Sequence, residues 1–486
     1  MKKFLVLFIL TSTFACTNLE ENIYDRIPSD RFPETADQAA LKVLPAYREL
    51  SDLIDDAGWW FWAQEVTSDE IVFPVRLTDW EDGGKWYLLH QHQWTNNIDA
   101  VNSMWSNLYD GVTEANRAID ELEGSKDLVT VAKLKTLRAF YYYLLIDNYG
   151  NVPLVTSFTK ADKQPKKSDR KVIYDFIVKE IRESLPLLPA SAQKFAVSKA
   201  MAYTLLAKLY LNAGIYTGTP AWADAERYCD SVILSNSYTL ESDALGPFKT
   251  NNENSPENIF TIPFDEKNLQ GFRIHMRTLH YQHNLTYDMP VGTWNGFGAV
   301  EDHYNTFEDI DSRKKGFIVG PQFDSQGKAL FDGTAGAPVV INPKIPKLII
   351  DGSHTFQQIR MSGARVGKFE IKKGALESLS NDFPLFRYAD VLLMKAECLV
   401  RQGKNGDQYV NQIRKRAKVS DMNNATLEML LAERGREMFC EGHRRQDLIR
   451  FGRFLNPWWE KPASDSKRLT FPIPQWAIDA NPNLAN

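Results

Sequence analysis

LRAFYYYLLIDNYGNVPLV, residues 137–155, decides the fold. Leu134, Leu137, Tyr141, Leu144 and Asn148 recur at the spacing that puts side chains on one face of a helix. Gly150 then supplies a left-handed stop, and Pro153 prevents the helix from resuming. The pattern predicts a long helix over 130–148, and the same reading extends outward. Residues 97–123 carry Val101, Met104, Trp105, Leu108 and Val112 on one stripe. Further helices are expected at 35–54, 172–188, 198–211, 222–233, 389–403, 407–417 and 426–442. Thr35 caps the first, and Pro45 inside it should kink or split it. Ser198 caps another, whose Ala200, Ala202 and Ala207 allow two helices to approach closely. Between about 241 and 383 the helical period fades. Gly, Pro, Asn and aromatics interleave there with short apolar runs, which predicts loops and short strands. The closing FPIPQWAIDANPNLAN should run extended. Helix pairs of tetratricopeptide size flank the irregular region, a pattern that fits a repeat array and an irregular bundle about equally.

A chain of 486 residues with 43% hydrophobic content is long enough to bury a large core. Its net charge of −5 supplies no positive field for nucleic acid, which is not an expected partner. Lys2 and Lys3 precede the apolar run FLVLFIL, and the stretch from Phe4 to Ala15 is too short to span a bilayer. Residues 1–15 therefore read as an export signal. Cys16 directly after Ala15 is the expected lipidation site, although Thr13 and Phe14 depart from the usual lipobox. Acylation with two or more chains would anchor the protein stably. Cys229, Cys398 and Cys440 lack the spacing of a zinc site and read as small buried apolar residues.

Six of the 12 tryptophans fall between Trp59 and Trp94. WWFW (59–62) is the hydrophobic quartet expected to pack in the core. DWEDGG (79–84) differs, because Trp80 stands between acids and two glycines in what reads as an exposed turn. TYDMPVGTWNGFG (286–298) has the same character around Trp294. An aromatic face in a polar loop suits a ligand with a flat apolar side. A sugar ring is one such ligand, and its hydroxyls then need fixed polar partners. Trp80 and Trp294 are the candidate stacking residues, with Tyr287 a third. Asp69, Asp79 and Arg365 are the candidate polar partners, Arg365 as a bidentate donor. His90 and His92 lie on one face of a possible strand but lack a third ligand, so no metal site is expected. No phosphate loop, nucleophile elbow or dinucleotide fingerprint is present, and no cofactor is expected. In the charged run ERGREMFCEGHRRQDLIR (433–450), Glu437, Glu441 and Arg445 lie at helical spacing.

The 137–155 segment resembles the most recognisable segment of the SusD/RagB family. FRYADVLLMKAECLVRQG (386–403), NQIRKRA (411–417), LLAERGREMFCEGHRRQDLIRFGRF (430–454) and FPIP…NPNL (471–484) are similar to its later segments, in the same order. The resemblance implies a mainly α-helical SusD-like fold, with tetratricopeptide-like helix pairs as scaffold and a variable loop-rich region mounted on it. It divides the chain into a signal at 1–15, a lipidated tether at 16–33 and one domain at 34–486. Within that domain the scaffold covers about 34–240 and 384–455, and the variable region about 241–383. It further implies a lipid-anchored protein on the outer face of the outer membrane. Such a protein captures glycan, delivers it to a SusC-like TonB-dependent transporter and catalyses nothing. Two alternatives stay open: peptide binding on the same scaffold, as in RagB-like members, and a glycoside hydrolase drawing on Glu65, Asp69, Glu70 and Asp79.

Overall fold

The computed structural model describes residues 41–485 apart from 56 and 125. The signal, Cys16, the tether and the Thr35 cap lie outside the described residues. Long helices dominate: α1 (Leu44–Asp52), α2 (Trp60–Val66), α3 (Lys85–His90), α4 (Asp99–Glu121), α5 (Leu128–Tyr149), α6 (Arg170–Ser184), α7 (Lys199–Leu211) and α8 (Trp222–Ile233). After the irregular region come α9 (Tyr388–Arg401), α10 (Asp407–Ala417), α11 (Leu427–Glu437) and α12 (Arg444–Arg450). Pro45 sits in the first turn of α1, where its missing N–H is harmless, so α1 begins at Leu44; residues 35–40 of the expected helix lie outside the described residues. Asp127 caps α5 by accepting the Thr130 N–H, and Gly150, with φ of 74°, follows its last residue. Ser198 caps α7 by accepting from Met201.

Neighbouring helices pack in chain order, α4 on α5, α5 on α6 and α7 on α8. The series then runs from α8 directly onto α9, although the whole irregular region separates them in sequence. α5 is central. Every residue from Thr136 to Tyr149 is buried, so the single stripe read from the sequence understates it. Its tyrosines reach backbone carbonyls, Tyr141 to Ala46 at 2.6 Å, Tyr142 to Val155 at 2.8 Å and Tyr149 to Val101 at 2.6 Å. These bonds satisfy polar tips that would otherwise be stranded in the core.

The irregular region leaves and rejoins the scaffold through an antiparallel stem, β3 (Asn258–Ile262) against β6 (Phe383–Arg387). The remaining strands among the described residues are two residues long. Two pairs join the segment after α2 to the irregular region: β1 (Ile71–Val72) runs antiparallel to β4 (Gly298–Ala299), and β2 (Val75–Arg76) runs parallel to β5 (Ile349–Ile350).

Two sequence expectations need correction. The helix expected over 426–442 ends at Glu437, and the chain turns before α12 begins. Gly442 has φ of +79°, and a Cβ there would lie 2.5 Å from the Trp60 ring. Cys440 also has a positive φ, of 59°, so the helix does not continue through this turn, and Glu437, Glu441 and Arg445 do not share one helix. The tail is not fully extended either, since Gln475–Ala480 is helical.

The charges of 433–450 form a buried ionic cluster with the stem. Arg387, at the end of β6, donates to Glu257 at 2.8 Å, to Glu437 at 2.6 Å and to Glu441 at 2.6 Å. Arg416 joins Glu257 and Glu437, and Arg313 reaches Asp311, Glu433 and Glu437. Burial alone would raise the Glu437 carboxyl, but Arg416, Arg387 and Arg313 together hold it far below its ordinary value. Arg387→Ala would remove the one cation shared by three buried carboxylates, leaving Glu257 to Arg416, Glu437 to Arg416 and Arg313, and Glu441 to Lys368. It is expected to cost about 3–5 kcal/mol of unfolding free energy in urea titrations.

Seven of the eight histidines are buried. Burial pushes His90 and His275 down to about 4, His283, His303 and His443 to about 3, and His92 and His280 to about 2. The unfolded chain, with imidazoles near 6.5, then binds protons that the folded chain refuses. The histidine contribution to stability is complete above about pH 6.5 and is lost as pH drops from there through the folded values, down to about 2 for His92 and His280. Chemical denaturation at pH 7.5 and pH 5.5 should show a lower midpoint at the acid pH, with up to about 1.4 kcal/mol lost per pH unit per histidine.

Candidate functional site

The loop after α2 is built on a tight hairpin. The Arg76 N–H donates to the Asp79 carbonyl at 2.9 Å, and the Asp79 N–H donates back at 3.1 Å, leaving Leu77 and Thr78 at the tip. Leu77 and Trp80 both have φ of 62°, a conformation that costs a bulky residue on the order of 1–2 kcal/mol. The surroundings hold it in place. The buried Arg76 guanidinium donates to the carbonyls of Ile359 at 2.6 Å, Ser362 at 3.0 Å and Gly296 at 3.3 Å. The half-buried Trp80 ring rests on Phe73 at a centroid distance of 5.0 Å. Its indole N–H donates to the Trp294 carbonyl at 2.9 Å.

Trp294 comes from the irregular region, on a segment whose backbone is laid along Ile274–Thr278. The N–H groups of Trp294 and Gly296 donate to the carbonyls of Met276 at 2.8 Å and Arg277 at 2.7 Å. The Arg277 guanidinium lies 5.1 Å from the ring centroids of both Trp62 and Trp294, so the WWFW segment seats Trp294 through a cation between two indoles. Asn295 is buried and donates to the Arg360 carbonyl at 3.0 Å. Gly296 is a requirement, because a Cβ there would lie 2.6 Å from the Trp80 ring.

Between these segments opens a cavity of about 370 Å³ lined by Asp79, Trp80, Asp82, Tyr281, Thr293 and Trp294. Tyr281 donates its hydroxyl to Asp79, and the Arg360 guanidinium lies 4.3 Å over its ring. Burial, and then Asp79, raise the Tyr281 phenol. Arg360 is itself fixed to Asp332 at 2.6 Å, and His280 contacts the same carboxylate at 3.1 Å. Three aromatic side chains and two carboxylates thus share one open cleft.

The description "SusD family" fits residues 358–486, and a second family model, "Starch-binding associating with outer membrane", fits residues 65–211. Over these two stretches the chain is similar to the SusD family. The starch-binding protein SusD of Bacteroides thetaiotaomicron is 26% identical to it, covering 89% of this chain and 86% of SusD. SusD-like protein P38 of Formosa agariphila is 22% identical over 99% of this chain and 97% of its own length. A SusD superfamily protein from Parabacteroides distasonis has the same fold, with a TM-score of 0.75 at 20% identity over 92% of this chain and 98% of that one. So does surface glycan-binding protein A from Bacteroides thetaiotaomicron in complex with laminarihexaose, with a TM-score of 0.70 at 21% identity over 92% and 97%. The helical scaffold described above is the SusD fold.

Trp80, Trp294 and Asp79 come together from segments far apart in sequence. The other three expected residues do not join them. Arg365 is fully buried, bonded to Asn295 Oδ1 at 2.7 Å and to the Arg360 carbonyl at 3.1 Å, so it supports the Trp294 loop from beneath. Asp69 is held bidentately by Arg444 at 2.7 and 2.8 Å. Burial would raise its carboxyl, yet Arg444 lowers it below the ordinary value. Tyr287 packs against the core, and its carbonyl accepts the Gly374 N–H at 2.7 Å, away from the cleft lining. Glu65 and Glu70 point at the 440–442 turn, bonded to the Gly442 and Cys440 N–H groups at 2.6 and 3.4 Å. WWFW is buried, as its composition indicated, and so are Trp86 and Trp94. His90 and His92 spend their Nε2 atoms on separate carbonyls, of Trp459 at 2.8 Å and Thr67 at 2.9 Å. The three remaining cysteines are buried. Tyr281, Asp82 and Thr293 were missed. Asp82 was visible in DWEDGG, but Tyr281 lies in an unremarkable LHYQHN run and is revealed only by its bond to Asp79.

Gly296→Ala is expected to push the Trp80 ring off its seat. Tryptophan fluorescence should report a more solvated indole, and stability should fall by about 1–3 kcal/mol.

Proposed function

We propose that this protein captures oligo- or polysaccharide in the Trp80–Trp294–Tyr281 cleft, outside the outer membrane, and delivers it to a SusC-like TonB-dependent transporter. Export by residues 1–15 and lipidation at Cys16 would hold it at the surface, with 34–486 acting as one domain. The observation that carries this reading is the cleft itself. Aromatic rings supply faces for sugar C–H groups, and carboxylates fixed beside them supply hydroxyl acceptors. Its relatives, named as starch-binding and surface glycan-binding proteins, support the ligand class, and the second family model, named for association with the outer membrane, supports the location. The relatives named for what they bind also support binding without turnover. Of the hydrolase candidates, only Asp79 lines the cleft.

Calorimetry against a broad glycan panel tests the proposal, and silence across the panel would sink it. Trp294→Ala is expected to weaken binding by at least about 2 kcal/mol, roughly thirtyfold. Tyr281→Phe keeps the ring but frees Asp79, and should cost less than the loss of either indole. Both tryptophans also pack against the core, so each Ala variant will lower the melting temperature by some degrees. A binding loss in Tyr281→Phe with an unchanged melting temperature therefore gives the cleanest assignment to the cleft.

A further inference from the structure

The polar wall of the cleft carries one sign of charge. Asp79 and Asp82 line it, and Glu81 stands exposed between them in sequence. Each carboxylate is fixed by a donor of the protein: the Tyr281 hydroxyl on Asp79, the Trp86 indole N–H on Asp82 at 2.8 Å, and the Gly83 N–H on Glu81 at 3.1 Å. These bonds orient the carboxylates and leave further lone pairs for an incoming donor.

The cations near the cleft are committed elsewhere. Arg360 covers the Tyr281 ring, but its Nε is 2.6 Å from Asp332. Arg76 is buried and donates to backbone carbonyls and to the Ser362 hydroxyl. Arg277 lies between the Trp62 and Trp294 rings. No lysine or arginine appears among the described residues that line the cavity.

We infer that the cleft takes an uncharged saccharide and excludes ones bearing carboxylate or sulfate groups. The inference rests on the glycan reading above and narrows it. Ligand hydroxyls donating to fixed carboxylates make charge-assisted hydrogen bonds, the stronger class. An anionic ligand on the same aromatic faces meets two oriented like charges and no available counter-ion, in a cleft whose open side is the only route to solvent screening.

Matched pairs of oligosaccharides isolate the effect: a neutral hexosyl chain and its counterpart oxidised at C6 to the uronate. Calorimetry on the wild-type protein should find the neutral member at least about tenfold tighter. The gap should narrow in about 0.5 M salt, where screening acts over about 4 Å. It should also narrow in Asp79→Asn/Asp82→Asn. If that double variant does not fold, the salt dependence of the wild-type gap decides alone. A uronate bound as tightly as its neutral partner, with binding lost in Trp294→Ala, overturns charge selection and leaves glycan capture standing. Failure of every member to bind overturns capture and this inference with it.

Discussion

One guanidinium sets the geometry of the molecule. Arg387 stands where the irregular region rejoins the helices, and its partners are Glu257 at the foot of the stem and Glu437 and Glu441 beyond α10. An ion of that kind in a dry interior tolerates little displacement, because each misplaced acceptor becomes an uncompensated charge. The cluster therefore fixes where both ends of the irregular region stand relative to α9 and α11. Replacing it with apolar groups of similar volume would satisfy the energetics as well, so its value here lies in specifying one docking position.

From that anchor a second layer is built of aromatic and cationic contacts. Trp60 presses on Gly442, Trp62 meets Arg277, and Arg277 meets Trp294. The tryptophan-rich segment is thus a connector between the helical scaffold and the cleft. Trp80, only half-buried, is where the connector reaches solvent. Arg365 holds Asn295 beneath the Trp294 loop, and Arg76 steadies the costly backbone at Leu77 and Trp80. The residues that make the cleft and those that make it rigid belong to one continuous packed body.

Much of this was legible in the chain, and the limits have physical causes. The helices of 97–233 announce themselves through period and caps, because local hydrogen bonding fixes them. WWFW and DWEDGG separate on composition alone, one apolar throughout, the other acidic with glycines. The break after Glu437 was invisible, since the charges keep a helical spacing across it while the backbone turns left-handed at Cys440 and at Gly442, where Trp60 leaves no room for a side chain. Arg365 and Asp69 look solvated for a related reason: a charged residue in a short polar or glycine-containing stretch reads as exposed until its partners, Asn295 for Arg365 and Arg444 for Asp69, arrive from distant segments. Tyr287 and Tyr281 are neighbours in sequence with similar surroundings. Only tertiary packing decides which of them faces the cleft.

The bond between Tyr281 and Asp79 joins positions 202 residues apart. Neither wall of the cleft exists in a useful form until the irregular region has docked on the scaffold, a late event for contacts of such long range. A ligand that touches both walls therefore does more than occupy a surface. It acts as a clasp across the two parts, so that recognition and completion of the fold draw on the same contacts.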